Sequence, residues 1–344
     1  MSQAPTTQPT YVKGLENVIA NQTRLCFIDG KRSKLLYLGY DIADLAEHSN
    51  FEEVAFLLWN YRLPKKSEYD EFVKAIRAEY EIPDQLVTVM KLMPKDSDPM
   101  DVLRTSVSFL GLFDPERNDN SLEANRRKAL RLTAKFPTIV AAWEQIRNGK
   151  EPVKPNKEFN IATNFLYMLK GEKPDELYAK IMDVALILHA EHEMNASTFS
   201  ARVTISTLTD MYSAVTSAIG TLKGPLHGGA NREVMKYLLE IGDLSKVDDF
   251  VQKPMLSRNQ HWAIHLSHQI PLPKALQSLR TSHTTWYYQA FHQASSNISS
   301  ISKPLDPLTY KLCVQIPQVF SSLQSLSAQN HQPSKDHRSQ ANTS

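Results

Sequence analysis

The chain has 344 residues, enough for one large domain or two ordinary ones, and 42% of them are hydrophobic. A charged fraction of 22% and a net charge of +2 exclude a collagen-like or wholly disordered chain and give no reason to expect a nucleic-acid partner. Two lone cysteines, Cys26 and Cys313, exclude a disulfide scaffold. No segment approaches the ~18 consecutive apolar residues of a membrane span, so we expect a cytoplasmic protein with no membrane partner.

The first elements predicted along the chain are short. Residues 1–10 are polar and rich in Pro and Thr, which predicts a disordered lead-in. Next, β-prone residues on both sides of Asp29-Gly30 predict a small hairpin. From Asp41 onward, the capping residues Asp41 and Asn50 precede apolar runs at spacings of three and four, and this pattern predicts helices. Asp98 opens another helix, with Pro99 at its first position.

The later elements are longer and also helical. Residues 121–146 read as one long amphipathic helix, and further helices are predicted over 175–190, 206–219 and 228–241. The buried stripe predicted for the helix over 175–190 consists of Leu177, Ile181, Val184, Ala185 and Leu188. With roughly ten helices and no alternation of strand and helix, the sequence predicts an all-α protein with a small N-terminal β-hairpin.

A change in composition near residue 251 divides the chain. All 11 glycines lie at or before Gly242, and residues 252–344 contain neither glycine nor glutamate but 16 Ser, 12 Gln and 7 of the 11 His. Residues 1–251 carry a net charge of −4, whereas residues 252–344 carry +6. Without glycine for turns and helix C-caps, residues 251–344 are predicted to be irregular or disordered.

The residues that point to chemistry lie between His189 and Asn231. Proline and paired glycines around His227 indicate a position at or just before a helix N-terminus, where the positive end of the dipole disfavours imidazolium. A neutral imidazole that keeps an N–H can stabilise an enol or enolate oxygen. A surface-turn role for His227 is the alternative. His189 and His192 could also bind zinc with Glu193, and Asn195 could simply cap the next helix.

Taken together, these segments resemble the citrate synthase family. The matching segments are Ile28-Asp-Gly30, Gly39-Tyr-Asp-Ile42, Phe51-Glu-Glu-Val-Ala-Phe-Leu-Leu-Trp59, Pro99-Met-Asp-Val-Leu-Arg104, His189-Ala-Glu-His-Glu-Met-Asn-Ala-Ser-Thr-Phe199 and Gly224-Pro-Leu-His-Gly-Gly-Ala-Asn231. The resemblance implies a helical domain over residues 11–250, made of the family's large domain and the start of its small one. It also implies a homodimer that condenses acetyl-CoA with oxaloacetate and needs neither a metal nor a bound organic cofactor.

The resemblance assigns roles to three residues. His227 matches the family's catalytic histidine, which stabilises the enol of acetyl-CoA, and His192 matches the histidine that holds oxaloacetate. Asn195 lies where the family lines the same pocket. His189 is interpreted as structural. The choice between acetyl-CoA and propionyl-CoA, which separates citrate from 2-methylcitrate synthesis, stays open.

The second half of the family's site has no counterpart here. Family members carry a Gly-His-Arg-type segment, a later aspartate that removes the methyl proton, and further arginines for the dicarboxylate. Residues 252–344 lack glycine and hold only Arg258, Arg280, Arg338, Asp306 and Asp336 in unrelated contexts. We therefore expect little or no activity and a weakened dimer. A frameshift near residues 251–254 explains the change in composition, and a non-catalytic helical interaction protein of the same family is the alternative.

Overall fold

The computed structural model describes residues 22–30, 32, 34–225, 227 and 228. The predicted lead-in over residues 1–10, the helix expected over 228–241 and the C-terminal segment over 251–344, which contains Cys313, lie outside these described residues. The domain boundary expected at residue 250 also lies outside them.

Three short strands form an antiparallel sheet near the start of the described chain, in the order β1-β2-β3. They are β1 (Cys26–Asp29), β2 (Lys34–Tyr37) and β3 (Tyr40–Asp41). The predicted hairpin is confirmed, with Asp29 opposite Lys34 and Cys26 opposite Tyr37. The strand β3 was not predicted, and it follows a turn at Leu38 and Gly39 with φ angles of 49° and 93°. Two successive positive φ angles suit the twist of a tight hairpin, and glycine adopts the second without strain.

Ten helices follow the sheet in the described part of the chain, which confirms the predicted fold class. They are α1 (Ile42–His48), α2 (Phe51–Asn60), α3 (Lys66–Ala78), α4 (Asp84–Leu92), α5 (Pro99–Leu110), α6 (Leu122–Arg147), α7 (Ile161–Lys170), α8 (Glu176–Leu188), α9 (Ala196–Ile205) and α10 (Met211–Lys223).

Several helices begin at the capping residue that the sequence indicated. The side chains of Asp41 and Asn50 accept hydrogen bonds from the first turns of α1 and α2. Asp98 caps α5, with Pro99 at its first helical position, and Ser121 caps the 26-residue α6. These residues satisfy backbone N–H groups that have no partner inside the helix.

Two helix predictions need correction. The helix expected over 206–219 begins instead at Met211, because Asp210 accepts from the N–H of Ser213 and caps α10 there. In α8, Leu177 is 54% exposed, so it does not belong to a buried stripe. Ile181, Val184, Ala185 and Leu188 are only half-buried, and the buried residues are Asp183, Leu186 and Ile187. The face of α8 that contains Asp183 contacts α2, since the Asp183 carboxylate accepts a hydrogen bond from the N–H of Phe51 at 3.0 Å.

The core surrounds α6, where 17 of the 26 residues are buried. Among the largest fully buried side chains are Trp143 and Phe136 of α6, Tyr37 of β2 and Phe51 of α2. The sheet therefore belongs to the same core as the helices.

Small residues let α9 and α10 pack closely as an antiparallel pair. Ala201 of α9 is buried against Ala214 and Ala218 of α10, and the hydroxyls of Ser200 and Ser217 lie 2.7 Å apart. This packing brings the beginning of α9 next to the chain that follows α10.

None of the described helices is both long and apolar enough to cross a membrane.

Candidate active site

The site is built where α8 ends and α9 begins. His189 is the C-cap of α8, and its Nδ1–H donates to the carbonyl oxygen of Ala185 at 2.7 Å. The connecting loop turns at Glu193, which has a left-handed φ of 72°. Asn195 then caps α9, since its Oδ1 accepts from the N–H of Thr198 at 2.8 Å. The capping role considered for Asn195 is thus real, and the side chain keeps its amide nitrogen for another contact.

A chain of hydrogen bonds joins all three predicted site residues. The Nδ2 of Asn195 lies 3.2 Å from the Nε2 of His192. The Oδ1 of Asn195 accepts from the hydroxyl of Ser197 at 2.6 Å, and the same hydroxyl oxygen lies 3.0 Å from the Nε2 of His227. The fold therefore brings together residues that lie on opposite sides of α9 and α10 in the sequence.

The chemistry of these contacts limits where protons reside. The amide nitrogen of Asn195 only donates, so His192 Nε2 accepts and a neutral His192 carries its proton on Nδ1. Ser197 has one hydroxyl proton for two contacts. While the Ser197 hydroxyl donates to Asn195, the Nε2–H of His227 donates to the Ser197 oxygen. When the hydroxyl instead donates to Nε2 of His227, the neutral imidazole carries its proton on Nδ1.

The surroundings of His227 favour its uncharged form. Burial lowers its pKa because a charged imidazolium would be desolvated, and the nearby His192 lowers it further. The expected direction is confirmed, but its causes in the described residues are burial and His192, since the helix expected after Gly228 lies beyond them. Burial also lowers the pKa of His189.

The alternatives for these histidines were a surface turn at His227 and a zinc site at His189 and His192. His227 is half-buried and contacts Ser197, so it is not an exposed turn residue. His189 turns its Nδ1 to its own helix, while His192 contacts Asn195. In the part of the chain that the structure describes, no three His, Cys, Asp or Glu side chains form a group that could hold a metal ion.

Four residues that build or support the site were not predicted from the sequence. Ser197 is fully buried and links Asn195 to His227. Glu191, Cys26 and Tyr37 are buried behind the loop. Ser197 lies two residues after a predicted capping residue, which is a local signal that could have drawn attention to it. The contacts of Glu191 with the sheet are between segments about 150 or more residues apart, so no local pattern reveals them.

Comparison with known proteins gives matches over most of the chain. A family profile described as "Citrate synthase, C-terminal domain" matches residues 14–262. Citrate synthase 2 from Bacillus subtilis is 43% identical over 289 residues, covering 81% of this chain and 77% of that protein. A 2-methylcitrate synthase from Mycobacterium tuberculosis is 41% identical over 259 residues, covering 75% of this chain and 65% of that protein.

A solved structure supports the same assignment. Citrate synthase from Thermoplasma acidophilum, in a ternary complex with carboxymethyl coenzyme A and oxaloacetate, superimposes with a TM-score of 0.76 at 25% identity. The superposition covers 97% of this chain and 96% of that one. Fold and matches together define an enzyme of the acyltransferase class that acts by condensation. Within that class, the chain belongs to the citrate synthase family.

The matches include some residues beyond the change in composition. The family profile continues from residue 252 to residue 262, past the point where glycine and glutamate disappear. The alignment with the Bacillus subtilis protein covers 81% of the chain, which is more than residues 1–251 supply by themselves. Family likeness therefore extends beyond residue 250.

Proposed function

We propose that this chain carries the oxaloacetate-binding and enol-stabilising part of a citrate synthase-type site. His192 and Asn195 bind oxaloacetate, and His227 stabilises the enol of acetyl-CoA. The observation that supports this most is the hydrogen-bond chain from His192 through Asn195 and Ser197 to His227, because it places candidate groups for both substrates side by side. The reaction joins acetyl-CoA, oxaloacetate and water to give citrate and CoA, and acetyl-CoA is a substrate rather than a cofactor.

The protonation of the site suits this role. An uncharged His227 can donate an N–H to an enol oxygen without presenting a full positive charge. When the Ser197 hydroxyl donates to Nε2, the other ring nitrogen of His227 carries the proton and becomes the donor to the enol. His192 accepts from Asn195 through Nε2, which leaves its Nδ1–H for a carboxylate of oxaloacetate.

The 2-methylcitrate reaction, which uses propionyl-CoA, is the second candidate. Its support is the 41% identity to the Mycobacterium tuberculosis 2-methylcitrate synthase. The choice between the two thioesters stays open, so both belong in every assay.

We further propose that the 344-residue chain turns over slowly or not at all. Oxaloacetate is a dianion whose carboxylates are best held by planar guanidinium groups, and a methyl proton needs a positioned base for its removal. Residues 252–344 hold no Gly-His-Arg segment and no aspartate in a family context. His192 then remains as a binding group and His227 as a hydrogen-bond donor, but the base that removes the methyl proton is missing.

The direct test is an assay of thioester cleavage by the purified chain with oxaloacetate and either acetyl-CoA or propionyl-CoA. We expect no cleavage above the rate without protein. Turnover that is lost in His227→Ala would contradict the inactivity and support the role of His227. Turnover unchanged by His227→Ala would contradict the assignment of that role.

A frameshift remains our explanation for the composition of residues 252–344. It predicts that the coding DNA from the codon of Lys246 onward contains a Gly-His-Arg segment, a later aspartate and arginines in another reading frame. Resequencing that DNA and translating all three frames tests this. If every frame lacks them, the chain is a catalytically incomplete relative, and a non-catalytic interaction protein becomes the better hypothesis.

The proposal includes a cytoplasmic homodimer that the altered C-terminal segment weakens, with residues 11–250 as its helical domain. Apolar side chains on α9 support a protein contact, since Phe199 is 38% and Val203 55% exposed. Sedimentation of the wild type and Val203→Asp tests it: a dimer that the aspartate dissociates is expected, and a wild type that is monomeric at all concentrations would contradict it.

A further inference from the structure

The loop that carries His192 is held from behind by the N-terminal sheet. The hydroxyl of Tyr37 in β2 donates to the carbonyl of Ile187 at 3.0 Å and accepts from the N–H of Glu191 at 3.1 Å. One fully buried hydroxyl therefore joins the last turn of α8 to the first residues of the loop.

Glu191 closes a small ring around His192. Its side chain is 1% exposed, and its Oε1 accepts from the N–H of Glu193 at 2.8 Å. Because the ring runs from the side chain of residue 191 to the backbone of residue 193, it contains the whole backbone of His192. The bond thus restrains the φ and ψ angles of His192 and, with them, the direction of its imidazole. Glu193, which donates this bond, has a left-handed φ of 72°, a conformation that costs free energy for a residue with a Cβ.

The sheet fixes the Glu191 carboxylate as well. The Sγ of Cys26 in β1 lies 3.6 Å from Oε1 of Glu191, within reach of a weak thiol hydrogen bond. Burial, followed by the charge of Glu191, raises the pKa of the Cys26 thiol, so the thiol keeps its proton and donates.

We propose that Glu191, supported by Tyr37 and Cys26, is a positioning residue that orients His192 for its ligand. The part that concerns oxaloacetate rests on the function proposed above, whereas the orientation of His192 does not depend on it. Glu191 acts through the loop backbone and touches neither substrate.

The test compares three variants. Glu191→Ala removes the acceptor, Glu191→Gln keeps an acceptor oxygen at the same reach, and Glu193→Ala is the matched control because the Glu193 side chain is exposed in the same loop. Two readouts are used below the unfolding temperature: the affinity for oxaloacetate by isothermal titration, and the tautomer of His192 from ¹⁵N shifts of its ring.

We expect Glu191→Ala to raise the dissociation constant of oxaloacetate about tenfold, as the loss of a hydrogen bond to a charged group implies. The His192 ring should change from the Nδ1–H form to a mixture of tautomers. Glu191→Gln should restore both, and Glu193→Ala should change neither. Wild-type values for Glu191→Ala in both readouts overturn the proposal, as does a loss that Glu191→Gln fails to restore.

The wild type can fail to bind oxaloacetate, and Glu191→Ala can fail to fold. If the wild type binds no oxaloacetate, the proposed function fails, and the tautomer of His192 alone decides whether Glu191 positions it. If Glu191→Ala does not fold, Tyr37→Phe removes one oxygen atom and takes its place: an altered His192 tautomer supports the proposal, and an unaltered one overturns it.

Discussion

The long helix α6 and the loop from His189 to Asn195 keep their shapes by different means. In α6, hydrogen bonds between residues four apart and a local cap at Ser121 stabilise the helical backbone. The 17 buried residues fix the position of the helix in the core. In the loop, the local bond between Glu191 and Glu193 is supported by Tyr37 and Cys26, whose partners lie about 150 and 165 residues away in sequence. The helix therefore depends on many packing contacts, whereas the loop depends on a few hydrogen bonds.

The largest effect should follow from a cavity in α6. Trp143 is 1% exposed, so Trp143→Ala removes a large buried side chain and should lower the free energy of unfolding by about 3–5 kcal/mol. Urea denaturation measures this. Leu112→Ala, at a residue that is 65% exposed, is the control and should change little. A loss below about 1 kcal/mol for Trp143→Ala would mean that the core around α6 is not packed as described.

Buried charge in the core gives the next prediction. Burial raises the pKa of Glu52 from its ordinary 4.5 to about 7; Asp183 raises it as well, while the N–H of Ile161 and the more weakly acting Arg77 lower it. The folded chain then binds more protons than the unfolded chain between about pH 4.5 and 7. The free energy of unfolding should therefore fall by up to about 3 kcal/mol as the pH rises through this window, and stay lower above it.

Denaturation of Glu52→Gln across this pH range checks that prediction. The variant should lose the part of the fall that Glu52 causes, because glutamine has no carboxyl proton to release. Glu47→Gln is the matched control, since the Glu47 side chain is 71% exposed. A pH dependence identical in Glu52→Gln and the wild type would contradict the prediction.

The smallest effect is expected at the end of α10, four residues before His227. The Nζ of Lys223 pairs with the carboxylate of Asp101 in α5, and both side chains are about one-third exposed. Asp101→Asn should lower the free energy of unfolding by less than about 1 kcal/mol, since partly exposed ion pairs contribute little. Asp70→Asn removes the more exposed pair with Lys66 and serves as the control.

The same comparison explains how far the fold could be predicted from sequence. Asp98-Pro99 and Ser121 mark helix starts through local bonds, and the sequence placed both correctly. The two-residue strand β3 is too short to show a pattern. The buried face of α8 was misjudged because Asp183 bonds to α2, a contact that periodicity does not show.

The candidate site divides in the same way. His192, Asn195 and His227 stand in segments that resemble the family's motifs, so the sequence could indicate them together. Their connection through Ser197 and the support from Glu191 depend on packing between distant segments. A sequence pattern states which residues are present, but tertiary contacts decide which of them touch.

Isothermal titration of oxaloacetate into the purified chain tests the central claim most directly. The wild type and His48→Ala, a change at an exposed histidine, should bind with the same affinity, and His192→Ala should lose at least about tenfold. Such a pattern would establish that the hydrogen-bonded histidine site recognises this substrate. Equal binding by His192→Ala and the wild type, or no binding by any of them, would contradict it.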